Sequence, residues 1–242
     1  MSRSPFDSLA DDYDRARPDY PHELYSALGD LGELTVLELG AGTGIATRGL
    51  QHAGARVLPT DLGIGMLRKQ RGAQPRVVSV AECIPVRSAS VDLVAGAQMW
   101  HWVDADKALP EVRRVLRPGG RLAVWWNEVD VDRAPWWEAQ QARIEALNPA
   151  YRRDYRRKDW AADLCERPGV AGADTVTIAW ARDLDPNTYR AWSRSKSYIA
   201  AIPEPARSEL IRADEEVLAE LFPEAVIREP FVCSLTLVTF QA

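Results

Sequence analysis

Thr35-Val-Leu-Glu-Leu-Gly-Ala-Gly-Thr-Gly44 is the stretch on which the rest of the chain is organised. Val36 to Leu39 has strand character and runs straight into Gly40, Gly42 and Gly44. Ile45 to Ala53 then reads as a helix with Gly54 as its stop. A buried strand that feeds a glycine-rich turn and a helix N-terminus presents backbone N–H groups to a ligand, and no side chain blocks its approach. Such a turn is a nucleotide-type cradle.

Outward from it, strand and helix patterns alternate. Arg56–Asp61 is expected as the second strand, with a helix from about Ile64, and Arg76–Val80 as the third strand. Val91–Ala95 is the fourth, apolar enough to be covered on both faces. A helix over Asp106–Leu116 is stopped by the turn Arg117-Pro-Gly-Gly120, and Leu122–Trp126 is the fifth strand. This rhythm predicts an α/β fold with a doubly wound, mostly parallel sheet. Beyond residue 126 helices dominate, over 134–147, 151–165, 187–201 and 204–221, with strands at Thr175–Trp180 and Phe231–Phe240. The expected organisation is an N-terminal helical cap (1–30), an α/β core (31–126), an inserted helical cap (127–230) that includes a sheet strand near 174–181, and a terminal strand (231–242).

Composition narrows the class. At 242 residues there is ample chain for a buried core. A net charge of −5 leaves no global basic footprint, so nucleic acid is not expected as a partner. Cys83, Cys165 and Cys233 stand far apart and the three histidines are scattered, so neither a disulfide framework nor a metal site is expected. No apolar run is long enough to span a bilayer, and Met1–Asp7 lacks the apolar core of a signal peptide, so a cytoplasmic protein is expected.

The cradle does not match a dinucleotide fingerprint. That motif needs a small residue where Ile45 stands counting from Gly40, or Thr47 counting from Gly42, so a nicotinamide-dependent oxidoreductase is disfavoured. What stands here is E-x-G-x-G-x-G, with Glu38 ahead of the glycines. Asp61 ends the second strand, where a carboxylate accepts hydrogen bonds from ribose hydroxyls in nicotinamide and adenosyl cofactors alike. Ala81-Glu-Cys-Ile-Pro85, Ala97-Gln-Met-Trp-His-Trp-Val-Asp104 and Leu116-Arg-Pro-Gly-Gly120 follow, and Phe6…Tyr13…Arg17-Pro-Asp-Tyr-Pro21 precedes. Together these segments resemble the class I S-adenosylmethionine-dependent methyltransferases of type 11, in particular the trans-aconitate methyltransferase-like subgroup. The resemblance is strongest from residue 6 to about 127 and thin beyond.

That resemblance implies a Rossmann-like fold with a seven-stranded sheet, S-adenosyl-L-methionine as cofactor and S-adenosyl-L-homocysteine as product. It also implies a site. Gly40, Ala41, Gly42 and Gly44 would wrap the amino-acid end of the cofactor with Glu38 near its ammonium, Asp61 would hold the ribose, and Leu62 and Met66 would flank the adenine. Ala81, Glu82 and Cys83 would meet the adenine edge. Many relatives carry Asp where Val80 stands, so one usual partner of the adenine amino group is missing. Gln98 and Trp102 would line the site, and Tyr13 and Arg17 would close over it. The acceptor is expected to be a small molecule bound by a monomer or homodimer that contacts neither membrane nor nucleic acid.

His101 is the one residue at these strand ends whose ordinary pKa suits a general base near neutrality; a histidine packed between Trp100 and Trp102 is the structural alternative. A carboxylate acceptor needs no base. Transfer to a carboxylate oxygen, transfer to carbon or nitrogen of a secondary metabolite, and a non-catalytic cofactor-binding module remain as alternatives. The Trp125, Trp126, Trp136 and Trp137 cluster suits either an apolar or planar acceptor or plain cap packing. The basic run 152–158 reads as a solvated helix face.

Overall fold

A computed structural model describes residues 17–70, 72, 74–152 and 158–241. The elements in chain order are α1 (His22–Ala27), β1 (Thr35–Leu39), α2 (Ile45–His52), β2 (Arg56–Asp61), α3 (Ile64–Lys69), β3 (Val77–Val78), β4 (Val91–Ala97) and a 3₁₀ turn at Trp100–Trp102. Then come α4 (Ala105–Val115), β5 (Leu116–Val129), α5 (Pro135–Leu147), α6 (Trp160–Cys165), β6 (Val170–Leu184), α7 (Pro186–Ser195), α8 (Ser197–Ala200), α9 (Ala206–Leu221) and β7 (Ile227–Phe240).

The strands form one seven-stranded sheet in the order β3-β2-β1-β4-β5-β7-β6. From β3 through β5 every pairing is parallel, with Val36 beside both Val57 and Leu93. β6 and β7 run antiparallel: Thr175 meets Thr236 while Thr239 donates to the Gly172 carbonyl, so one strand's numbers rise as the other's fall. The chain splits into two compact units. One holds residues 19–127, 158–178 and 233–242; the other holds 1–18, 128–157 and 179–232.

In the first unit β1 is central, and four of its five residues are buried, as a parallel strand covered on both faces requires. The apolar face of α4 (Ala108, Leu109, Val112, Val115) packs with Leu37, Leu39, Val94, Leu122 and Val124, joined by Leu164, Val170 and Val238. In the second unit Leu184, Tyr189, Trp192, Leu218, Ile227 and Phe231 form one apolar cluster, and Ile144, Ile199, Ile202, Leu210 and Ile211 form another.

Three of the differences from the sequence expectation have a local physical reason. β3 shrinks to two residues, because Val80 turns back to bridge Cys83 antiparallel and so leaves the parallel ladder. Arg117–Gly120 is absorbed into β5 as an irregularity: Val91 pairs Leu116 while Leu93 pairs Arg121, and the surplus residues bulge out with Gly119 at φ +79°. Of the helix expected over 151–165, the described residues form α6 at Trp160–Cys165, opened by the Asp159 carboxylate accepting from the Ala162 N–H. Residues 153–157 and the first 16 lie outside the described residues, and with them Tyr13 and most of the basic run.

Candidate functional site

β1 sits where the strand order reverses, between β2 on one side and β4 on the other. In an open α/β sheet this switch point opens a crevice at the strands' carboxyl ends. Gly40–Gly44, Asp61 and Gln98–Trp102 follow the carboxyl ends of β1, β2 and β4, and all lie in the first unit.

The glycine loop takes the shape its sequence demands. Gly40 has φ +62°, and a Cβ there would stand 2.8 Å from the Met99 Cβ, so no larger residue fits without displacing the chain after β4. Asp61 organises the loop from the next strand. Its Oδ2 accepts the Gly42 N–H at 2.8 Å and its Oδ1 the Gly63 N–H at 2.6 Å. Gln70, at the end of α3, donates to the Gly42 carbonyl at 2.9 Å, and Met66 packs beneath Gly42 with its Cε 3.6 Å from where a Cβ would be. Met66 is therefore buried against the loop, whereas Leu62 is 73% exposed at its mouth.

Glu38 is 1% exposed. Burial pushes its carboxyl up to about 8, and the Thr47 hydroxyl, which donates to its Oε2, only partly offsets this. Such a carboxyl holds its proton to higher pH than a solvated one. Thr47 sits one turn into α2 with no local signal that marks it as the partner of Glu38.

Ala81 is buried and Cys83 exposed. Glu82 is committed to the start of α4, accepting the Asp104 N–H at 2.8 Å. The backbone after it is clamped from α4. Glu111 accepts the Ile84 N–H at 2.8 Å, and Arg114 donates to the carbonyls of Ile84 and Val86, both at 2.7 Å. Hydrogen bonds from Arg114 and Ile84 hold the Glu111 carboxyl down at about 2. Neither residue stands out in the sequence, where the pair reads as an ordinary i,i+3 ion pair on a helix surface.

At the end of β4, Gln98 adopts φ +57° and its side-chain amide donates to the Asn127 carbonyl at 3.0 Å. The Asn127 amide in turn donates to the Asp19 carbonyl, and Tyr20 meets the edge of Trp125 at 5.8 Å, which ties the incoming chain to β5. Trp100 is buried while Trp102 is 72% exposed. The Trp126 indole N–H points at His101 Nδ1 at 3.3 Å, and Trp126 itself is stacked on Trp160 at 4.6 Å. An indole N–H only donates, so Nδ1 accepts and the neutral imidazole carries its proton on Nε2.

Arg17 belongs to the second unit, where its guanidinium lies 5.0 Å from the centroid of the Trp192 ring. Tyr13 falls outside the described residues. Among the described residues no cluster of His, Cys, Asp or Glu could hold a metal, and no helix is long and apolar enough to cross a membrane.

These features fit an adenosyl cofactor with an amino-acid tail. The glycine loop is a cradle that any Cβ at Gly40 would crowd, Asp61 holds the loop from β2, and Glu38 is a buried carboxyl beside it. Three buried polar oxygens around the crevice, Thr43 Oγ1, Gln70 Oε1 and Gln98 Oε1, make no hydrogen bond among the described residues.

Known proteins agree with the geometry. The family described as a methyltransferase domain matches residues 37–124. An uncharacterized methyltransferase of Mycobacterium tuberculosis is 36% identical over 218 residues, covering 88% of this chain and 85% of its own. A malonyl-[acyl-carrier protein] O-methyltransferase of Pseudescherichia vulneris is 36% identical over 165 residues, covering 65% and 63%. Among solved structures, a candidate type II methyltransferase of Anaeromyxobacter dehalogenans shares the fold at a TM-score of 0.69 and 23% identity, over 91% of this chain and 97% of that one. The chain therefore belongs to the class I S-adenosylmethionine-dependent methyltransferases.

Proposed function

We propose that the enzyme methylates a carboxylate oxygen of a small organic acid, as the trans-aconitate-type enzymes do. The observation that carries this reading is the Trp126–His101 hydrogen bond. His101 was the natural general base at this end of the sheet, but its Nδ1 lone pair is engaged by a donor that cannot accept a proton back. To serve as a base through Nδ1, the ring must first break that bond. An acceptor already ionised at neutral pH avoids the step. In this reading His101 acts as a hydrogen-bond donor through Nε2–H that orients the acceptor.

S-adenosylmethionine would supply a methyl group on a sulfonium, from which a neutral thioether leaves. This chain's residues bind, align and exclude water. The glycine loop takes the amino-acid end, with Glu38 beside the ammonium. Asp61 takes the ribose hydroxyls while keeping its bonds to Gly42 and Gly63, and Leu62 with Ala81–Cys83 flanks the adenine. Gln98 and Trp102 line the reacting end. The 127–230 region shapes the acceptor pocket. The P. vulneris relative, named as a malonyl-[acyl-carrier protein] O-methyltransferase, fits an oxygen acceptor.

The test is a screen of organic acids beside their amide and alcohol analogues with methyl-labelled cofactor, read by mass spectrometry. Label recovered in a product that mild alkali hydrolyses supports a methyl ester. Label only in alkali-stable carbon or nitrogen products overturns the proposal.

A further inference from the structure

Around the Trp192 indole the second unit gathers one buried lysine and two partly buried arginines. Lys196 is 2% exposed, with its Nζ 4.0 Å from the Trp137 ring centroid and 4.5 Å from that of Trp192. The Arg182 guanidinium lies 5.2 Å from the Trp192 centroid and 5.6 Å from that of Phe231. With Arg17 at 5.0 Å, three cationic groups share the surroundings of a single indole ring.

The nearby carboxylates are already committed. Glu229, fully buried, accepts Arg182 Nε on Oε2 at 2.8 Å and the Trp192 N–H on Oε1 at 2.7 Å. Asp214, also buried, accepts from Gln140 and Arg143. Lys196 Nζ is left with no hydrogen-bond acceptor among the described residues, only the faces of two indoles. A buried ammonium with three donors and no acceptor carries a large desolvation cost that cation–π contact only partly offsets. Burial first, and the Arg17 and Arg182 charges after it, bring Lys196 down to about 7, against the pull of Glu229 and Asp214. Among the described residues Lys196 Nζ therefore lacks an acceptor oxygen, and flat apolar walls stand beside it.

We propose that Lys196, Arg182 and Arg17, walled by Trp137 and Trp192, form the site that holds the carboxylate of the methyl acceptor. The assignment to the acceptor rests on the carboxylate reading above; the anion site itself does not. Arg182 and Glu229 set the frame, Lys196 supplies the unpaired donors, and the indoles select a planar or apolar body behind the anionic group. None of these residues lies in the glycine-loop region, which explains why the motifs that reveal the cofactor are silent about the acceptor.

The sequence has four lysines, Lys69, Lys107, Lys158 and Lys196, so the side chains of [15N]lysine-labelled full-length protein give few signals. The Lys196 Nζ resonance is assigned by its loss in Lys196→Met. Should that variant fail to fold, Lys69→Arg, Lys107→Arg and Lys158→Arg assign it by elimination. The resonance is titrated with pH in sodium chloride, sodium acetate or acetamide at equal ionic strength. Acetate should raise the Lys196 midpoint saturably, by about one pH unit at ten times its dissociation constant, because it binds the ammonium form. Acetamide and chloride should not. A midpoint indifferent to acetate would overturn the site and leave Lys196 as a cation held only by its indoles. Should esters form in the acceptor screen while acetate leaves Lys196 unmoved, this inference alone falls. Should acetate move Lys196 while the screen yields only carbon or nitrogen products, the anion site stands and the carboxylate reaction falls.

Discussion

Replacing Glu38 with glutamine tests the electrostatics of the cofactor cradle directly. The amide keeps the size of the side chain and an oxygen for the Thr47 hydroxyl, but it cannot ionise. In the wild type, burial raises the folded-state value to about 8 from an ordinary 4.5. The folded state therefore holds a proton that the unfolded chain releases. The resulting stabilisation is fully present below about pH 4.5 and is lost as pH rises through 8. Each pH unit in that window is worth about 1.4 kcal/mol, so the whole span approaches 5 kcal/mol. Urea unfolding of both proteins at pH 5, 6, 7 and 8 should show the wild type losing stability relative to Glu38→Gln at close to that slope. Parallel curves would refute the argument, because they would mean that Glu38 is solvated or paired in the folded state. The same proton reports on the cofactor. An ammonium placed beside Glu38 lowers its pKa, so binding at pH 7 should release up to about nine-tenths of a proton, the fraction bound to a group titrating near 8. Calorimetry in buffers of differing ionisation heat should detect that release in the wild type and none in the variant.

Three further outcomes are expected. Asp61→Ala should weaken cofactor affinity at least tenfold, about 1.4 kcal/mol, and should lower stability by a further 1–3 kcal/mol or so, since the Gly42 and Gly63 N–H groups lose their acceptor; unchanged calorimetric affinity would remove Asp61 from the cofactor site. His101→Ala should leave cofactor affinity intact and slow turnover on the acceptor identified by the screen, while the wild-type rate shows no acid limb near pH 6.5; a limb there that the variant abolishes would restore His101 as the base. Glu111→Gln should destabilise the protein at pH 7, and because the folded carboxyl is held at about 2, the advantage of the wild type should be present above pH 4.5 and fade as pH falls toward 2; equal midpoints at pH 7 would mean that the Ile84 clamp contributes nothing.

The glycine loop, Asp61 and the strand rhythm were legible because each depends on chain-local rules. Positive-φ positions require glycine, a strand covered on both faces is a continuous apolar run, and the residue that ends a strand has a fixed place in the crevice. Those rules reached the sheet and the cofactor cradle. They misjudged β3 and the Arg117–Gly120 turn, where a local bridge in one case and a bulge beside β4 in the other depend on pairing partners far along the chain.

The remaining chemistry is tertiary. Nothing near Glu38 announces that Thr47 will donate to it, and nothing near His101 that Trp126 will fix its tautomer. In Arg194-Ser-Lys196-Ser the lysine looks like any solvated cation on a helix, yet the fold sets it between Trp137 and Trp192 and near Glu229. Protonation states and desolvation depend on which groups meet through space, and those groups come from positions as distant as 17, 137, 182, 196 and 229. The sequence by itself determined the α/β sheet and the glycine-rich loop at the end of β1. Only the tertiary structure, by deciding which charges lose their water and which find partners, set Lys196 between two indoles without an acceptor among the described residues, the observation on which the proposed anion site rests.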